Sequence, residues 1–386
     1  MKVLPALLFR RQVYAAAAWL NLVGGIALSA NGGAHAVETD VLTPAQWEKA
    51  HLATERALVW LRRQQSPNGS FPTLETAQPA VTALVTMAFI SAGHGVEETD
   101  NRQVIENACE FILSCQKEDG LLARIPPRGE CVSLNASHTS SYNHAIAGIC
   151  LAELTGSVNA SLNKEIMRSV ESALAFTLAS QKRALRFPED RGGWRYATEN
   201  FNVDSDVLVT AWQLMFLRAA KNAGFDVPHE SAVQAQAIVK SCFDAREGTF
   251  RYGLRGHEAH QFSRAITGAA ILSFALVGKQ DDPDVQTAGD WLVRHPFPSY
   301  RAADLHREAP YFYGVFYGAQ AAYQLGGNTW HTYYPPVVMQ LVDNQLADGS
   351  WEIETTRESA VGRVYTTALA VLTLTISNEL LPIYQR

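Results

Sequence analysis

Charge is scarce in this chain and its apolar runs are short. Only 18% of the 386 residues are Asp, Glu, Lys or Arg, and 38 acids against 32 Lys and Arg give a formal net charge of −6. With no run of basic residues to offset that balance, the chain has no electrostatic footprint for a polyanion, and nucleic acid is excluded as a partner. The five cysteines include no Cys-x-x-Cys pair and none at metal-ligand spacing from a histidine. No structural metal or cofactor is therefore expected, and the cysteines read as small buried hydrophobes with at most one or two disulfides. The 26 Gly and 16 Pro are too few for a collagen-like or low-complexity chain. Beyond residue 40 no stretch approaches about 18 uninterrupted apolar residues, the length a membrane-spanning helix requires. A phosphate-cradling Gly loop after a strand and a G-x-S-x-G elbow are also missing.

What the chain does hold is apolar bulk: 47% hydrophobic residues, with 16 Phe, 13 Tyr and 8 Trp. That is enough for a large core. At the N-terminus Lys2, Arg10 and Arg11 precede an apolar stretch from Val13 to Ala30, which ends in Asn31-Gly32-Gly33-Ala34-His35-Ala36 with small residues at −3 and −1 of an A-x-A site. Residues 1–36 read as a signal peptide, so export to a periplasmic or secreted location is expected. Left uncleaved, the same stretch is a membrane anchor. Residues 37–386 remain for the folded domain, as a soluble or peripherally membrane-associated protein.

That domain is built from one repeated unit of roughly 50 to 65 residues: an amphipathic helix, a Gly-containing turn usually with an aromatic, and a more apolar helix. The turns mark the register at Gln65 to Phe71, Gln116 to Leu121, Gln181 with Gly192 to Tyr196, Asp244 to Phe250, and Gln345 to Trp351; a further unit, between His295 and Tyr300, has lost the Gly. The first helices carry a one-sided stripe, as Val104, Ile105, Ala108, Phe111 and Ile112 do opposite Glu106 and Glu110. The second helices, such as Ala145 to Cys150 and Val209 to Phe216, are apolar nearly all round and must be covered on most sides. Two concentric rings, with the apolar helices inside, satisfy both kinds. The expected fold is an all-α, single-domain α6–α6 toroid.

The recurring Gln-x-x-x-Gly-x-aromatic turn resembles the QW motif of squalene cyclases and the matching turn of protein prenyltransferase β subunits. Gly192 to Tyr196, followed by Asp204 to Gln213 and preceded by Ser141 to Ala147, resembles exported bacterial proteins with prenyltransferase/squalene oxidase repeats, over roughly residues 45 to 380. The resemblance implies the toroid more firmly than any activity. The Asp-x-Cys zinc ligands of prenyltransferases and the Cys-Gly-Glu-Gln of thioester domains are absent. Cyclases protonate an alkene with a D-x-D-D acid; here Asp204-Ser205-Asp206 matches three positions and Val207 replaces the fourth carboxylate. The resemblance thus implies acid–base chemistry with Asp206 as acid, Asp204 as its polarising partner and His144 nearby. The plainer alternatives are helix capping for the two aspartates and a satisfied core histidine for His144.

If the entrances of the inner helices converge on one mouth, Tyr142, Phe262, Arg264, Tyr313, Phe316, Arg363 and Tyr365 would line a shared cavity whose aromatics could hold a small apolar ligand by contact or a cationic one by cation–π attraction, unless they serve packing alone. His257, Glu258 and His260 read as a solvated loop rather than a metal cluster. Asp281 to Asp284 reads as a turn leading into a helix with Pro at its start. Two function classes stay open: cyclase-like or acid–base chemistry on an isoprenoid or lipid, and a non-catalytic envelope toroid that recognises a lipid, a glycan or a protein segment.

Overall fold

Twelve α-helices alternate in character along the described residues, which in this computed structural model are 41–95, 99–198, 203–302, 310–355 and 357–385. The expected signal peptide lies outside them. The odd-numbered helices form the outer layer: α1 (Pro44–Arg62), α3 (Thr99–Ser114), α5 (Ala160–Gln181), α7 (His229–Ser241), α9 (Pro283–Arg294) and α11 (Gly327–Asp343). The even-numbered helices form the inner layer: α2 (Ala80–Ser91), α4 (Ala136–Leu154), α6 (Val207–Asn222), α8 (Arg264–Ala275), α10 (Tyr311–Leu325) and α12 (Arg363–Leu374). None of them is long and apolar enough to cross a membrane.

The two layers follow from the two sequence patterns. In α1 only Ala50, Ala53, Thr54, Ala57, Leu58 and Leu61 are buried, a stripe at helical spacing, whereas in α2 every residue but Ile90 is buried. Each inner helix packs on the next in chain order, and α12 packs back on α2, so the inner ring closes; α11 likewise meets α1 in the outer ring. Small residues let the inner backbones approach. A Cβ on Gly268 of α8 would lie 2.6 Å from the carbonyl of Tyr317 in α10. The architecture is the expected α–α toroid.

The recurrent turn is a structural staple. The Gln65 side-chain amide donates to Gly69 O at 3.1 Å and to Val104 O of the next outer helix at 2.8 Å. Gln116 joins Gly120 O and Ser169 O at 3.3 and 2.9 Å, and Gln181 joins Gly192 O and Ser231 O at 2.6 and 2.9 Å. Gln345 closes the circle at 2.8 Å to Gly349 O and 2.7 Å to Ala53 O of α1. Each satisfies carbonyls left over at a turn or helix bend. Toward the inner layer, the hydroxyls of Thr82, Thr210 and Thr367 accept the backbone N–H groups of Phe71, Trp194 and Trp351 at 3.1, 3.1 and 3.2 Å. In the unit turned at Gly120 that place is taken by His144, whose Nδ1 accepts from Leu122 N–H at 3.2 Å.

Two details depart from the plain repeat. The turn at Gly248 forms a two-residue antiparallel hairpin, Phe243–Asp244 with Thr249–Phe250. In the unit without the Gly, Gln340 donates to Phe297 O at 3.0 Å in place of the usual staple. All five cysteines are free thiols, so neither of the disulfides the sequence left open forms. Beyond α12 the chain crosses the C-terminal ends of the inner helices: Asn378 donates to Ser91 O at 3.0 Å, Ile383 N–H to the Glu153 carboxylate at 3.1 Å, and Asn222 to Pro382 O at 3.3 Å. Leu381 and Ile383 are buried there.

Candidate functional site

All six inner helices present residues at or beside their N-terminal ends to one cavity of about 1280 Å³. Spacing of four residues makes its wall: Ala80 and Leu84 from α2, Tyr142 and Ile146 from α4, Leu208 and Trp212 from α6, Tyr365 and Leu369 from α12, with Ile266 and Tyr313 from α8 and α10. The floor is therefore apolar and aromatic. Trp212 does not plug it. Its indole stacks on Phe316 with centroids 5.7 Å apart and donates to the Tyr313 hydroxyl at 2.6 Å.

One flank is polar and organised around Arg195, which leaves the turn directly after Trp194. Its guanidinium is buried, pairs with Asp206 at 2.7 Å and Glu258 at 3.4 Å, and stands 4.0 Å over the Tyr196 ring and 5.1 Å from that of Tyr252. The Tyr196 and Tyr252 hydroxyls are 2.9 Å apart, and His138 lies against Tyr196 with ring centroids 4.4 Å apart. Burial, with the nearby Arg195 charge, lowers the His138 pKa to about 4, so this imidazole is neutral. Burial raises the phenol pKa of Tyr142 and Tyr252, which stay protonated.

Asp206 is the N-cap of α6. One carboxylate oxygen accepts Val209 N–H at 2.9 Å and the other takes Arg195. Burial raises its pKa, against the Arg195 charge and the capping amides. Arg195 lines the cavity and Asp206 does not. Asp204 is engaged elsewhere, accepting Phe187 N–H at 2.7 Å. His144 is fully buried, its second nitrogen 2.9 Å from the Thr177 hydroxyl, with its pKa lowered to about 3 by burial. The expected trio of Asp206, Asp204 and His144 is thus not assembled: none lines the cavity, and each is held by its own partners.

Of the expected cavity residues, Tyr142, Phe262, Tyr313 and Tyr365 line it and three do not. Arg264 turns outward to His295 O and Pro296 O at 2.5 and 2.9 Å, over the Phe297 ring. Phe316 is buried behind Trp212. Arg363 pairs with Asp348 at 2.8 Å and faces Trp60 of the outer layer. His257, Glu258 and His260 do reach the mouth, but no group of three His, Cys, Asp or Glu among the described residues is placed to hold a metal ion.

The residues that sequence reasoning missed are Arg195, Tyr196, Tyr252 and His138. A signal for three of them was present: Trp194-Arg195-Tyr196 and Phe250-Arg251-Tyr252 repeat an aromatic-Arg-Tyr run, the aromatic filling the turn and the tyrosine returning to the cavity.

The family model for the prenyltransferase alpha-alpha toroid domain matches residues 35–186. No curated protein matches the chain by sequence. Among solved structures, a type II terpene cyclase, MstE from Scytonema, in complex with geranylgeranyl dihydroxybenzoate, superposes with TM-score 0.55 at 13% identity, over 88% of this chain and 100% of that one. A GH76 alpha-mannanase from Bacteroides thetaiotaomicron gives 0.57 at 11% identity, over 85% and 95%. An alpha-amylase from Clostridium perfringens gives 0.55 at 10%, over 84% and 98%. The chain thus has the α–α toroid fold that these structures share, and its residues 35–186 match the prenyltransferase toroid domain.

Proposed function

We propose that the toroid is a binding protein for an elongated apolar ligand, of isoprenoid or other lipid type, held in the central lumen. The observation that carries this reading is the cavity of about 1280 Å³, floored by Leu84, Ile146, Leu208, Trp212 and Leu369. A cavity of that size and lining gains most from burying hydrocarbon, at roughly 25 cal/mol per Å² of apolar surface removed from water. The similar cyclase fold around a geranylgeranyl compound supports the choice of ligand class, by fold alone. Binding is favoured over alkene protonation because both oxygens of Asp206 are occupied by Arg195 and Val209 N–H, leaving no carboxylic acid aimed at the lumen from that position. The signal-peptide pattern of residues 1–36 supports a place outside the cytoplasm.

A second reading, a glycan site, draws on Glu247, Glu258 and Glu358 at the mouth and on the two glycosidases of similar fold. Calorimetric titration of the full-length protein separates the two. Geranylgeraniol is expected to bind with saturable one-to-one stoichiometry, and binding is lost in Leu84→Trp, which fills the lumen. Uptake of a manno- or malto-oligosaccharide with no response to the prenyl alcohol would overturn the lipid reading in favour of the glycan.

A further inference from the structure

The polar flank of the cavity gathers hydrogen-bonding groups from three successive units. His138 and Tyr142 stand four residues apart on one face of α4. Tyr196 follows the turn ahead of α6, and Tyr252 follows the hairpin ahead of α8. The His138 ring lies 4.4 Å from that of Tyr196 and 5.8 Å from that of Tyr142, the Tyr142 and Tyr196 rings are 6.3 Å apart, and the Tyr196 and Tyr252 hydroxyls are 2.9 Å apart. All four residues, with Arg195, line the cavity. Two of their polar atoms, His138 Nδ1 and Arg195 Nε, are buried without a hydrogen-bond partner among the described residues. A buried polar atom left unpaired costs more than an ordinary hydrogen bond returns, so a ligand atom that pairs with such a group gains the difference.

The donor and acceptor types on the flank select the kind of head. Arg195 Nε–H only donates, whereas the neutral His138 imidazole and the tyrosine hydroxyls both donate and accept. The oxygen of an alcohol or a carbonyl complements that set, while an ammonium head brings no acceptor. Burial argues against a charged head of either sign. The Arg195 and Asp206 side chains are 4% and 0% exposed, and burial raises the phenol pKa of Tyr142 and Tyr252 and lowers that of His138. A charged head taken into such a place loses its hydration, and the guanidinium that would offset this for an anion is already paired with Asp206 at 2.7 Å. Ile146, one turn along α4 from Tyr142, belongs to the apolar floor, so a head on this flank leaves its chain running onto that floor.

We propose that the flank of His138, Tyr142, Arg195, Tyr196 and Tyr252 is a head-group subsite of the lumen, and that it takes an uncharged oxygen, hydroxyl or carbonyl, carried on the apolar chain. This inference rests on the reading that the lumen holds an apolar chain, and it adds the chemistry of the ligand's head.

The test is a calorimetric comparison of decanol, 2-decanone, decyltrimethylammonium and decyl sulfate, each below its solubility limit or micelle concentration. It uses the full-length protein at pH 7, where His138 is neutral, beside the variants His138→Phe and Tyr142→Phe, which keep a ring in place and remove the polar atoms. The alcohol and the ketone are expected to bind at least about fivefold more tightly than the two charged compounds. Each variant is expected to weaken the alcohol and the ketone about fivefold, the worth of one buried hydrogen bond, and to narrow their lead over the charged compounds by the same factor. The two substitutions read the same subsite, so one folded variant is sufficient. Alcohol and ketone affinities that survive the substitutions, a fall shared equally by all four compounds, or tighter binding of a charged compound to the wild type each overturn the subsite while leaving the lumen as an apolar site. Failure of all four to bind the wild type overturns this inference and the apolar-ligand reading together.

Discussion

Glu153 lies in the last turn of α4, beneath the C-terminal segment, and the protein should respond to its titration. One carboxyl oxygen accepts Ile383 N–H at 3.1 Å and the other is buried without a partner. Burial raises its pKa to about 8, opposed by that amide. The unfolded chain loses this proton near pH 4.5, so between there and pH 8 the folded state holds a proton that the unfolded state has lost. Stability from this group is therefore fully present below pH 4.5 and is lost as pH rises through about 8. At about 1.4 kcal/mol per pH unit, the interval from pH 5.5 to 8.5 removes roughly 3 kcal/mol. Glu153→Gln keeps an acceptor for Ile383 and cannot ionise. Urea unfolding at the two pH values should show the wild type losing about 3 kcal/mol more than the variant. Glu354, raised to about 7 by burial beneath α10, adds a loss of the same sign to both proteins and cancels in the difference. Parallel pH dependence in the two would refute the argument that Glu153 is buried as the acid.

The remaining predictions concern the staple and the polar flank. Gly349 has φ +94°, and a Cβ there would lie 2.5 Å from Arg56 O, whereas Gly224, at φ +91°, has open space around it. Both Gly→Ala changes pay the left-handed conformation, about 1 kcal/mol, and Gly349→Ala should cost clearly more in urea unfolding because α1 must move. Arg195→Met leaves Asp206 and Glu258 buried without their cation and should cost about 3–5 kcal/mol, much of it restored by adding Asp206→Asn; no restoration would mean that packing rather than charge was lost.

The ring architecture was legible because its signals are local and repeated. The one-sided stripe of α3, the all-round apolarity of α6 and the turns at Gly69, Gly120 and Gly349 each specify a piece of the hairpin, and repetition leaves closure as the way to bury the inner helices. The expected convergence of inner-helix entrances was legible for the same reason, since position along the helix fixes which residue faces inward; Tyr142, Tyr313 and Tyr365 follow it. Direction around the helix was harder to read. Phe316, one turn from Tyr313 in number but rotated away, points into the wall, and Arg363 and Arg264 at the helix starts swing out to Asp348 and to the His295 carbonyl. Asp206 and His144 have functional chemistry but structural partners, and the Arg195 guanidinium that caps Asp206 comes from a turn whose side-chain directions no helical period fixes. His144 takes a place that threonine holds in three other units, a substitution visible only once the repeats are aligned in space.

The central claim, an apolar ligand in the lumen, is tested most directly by native mass spectrometry of the full-length protein purified without detergent and then supplied with geranylgeraniol, beside Leu84→Trp treated alike. The account predicts one bound lipid or prenyl alcohol per wild-type chain, released into organic solvent, and none on the variant at an unchanged unfolding midpoint. A wild type that remains empty, or a variant that carries the same mass, would contradict it.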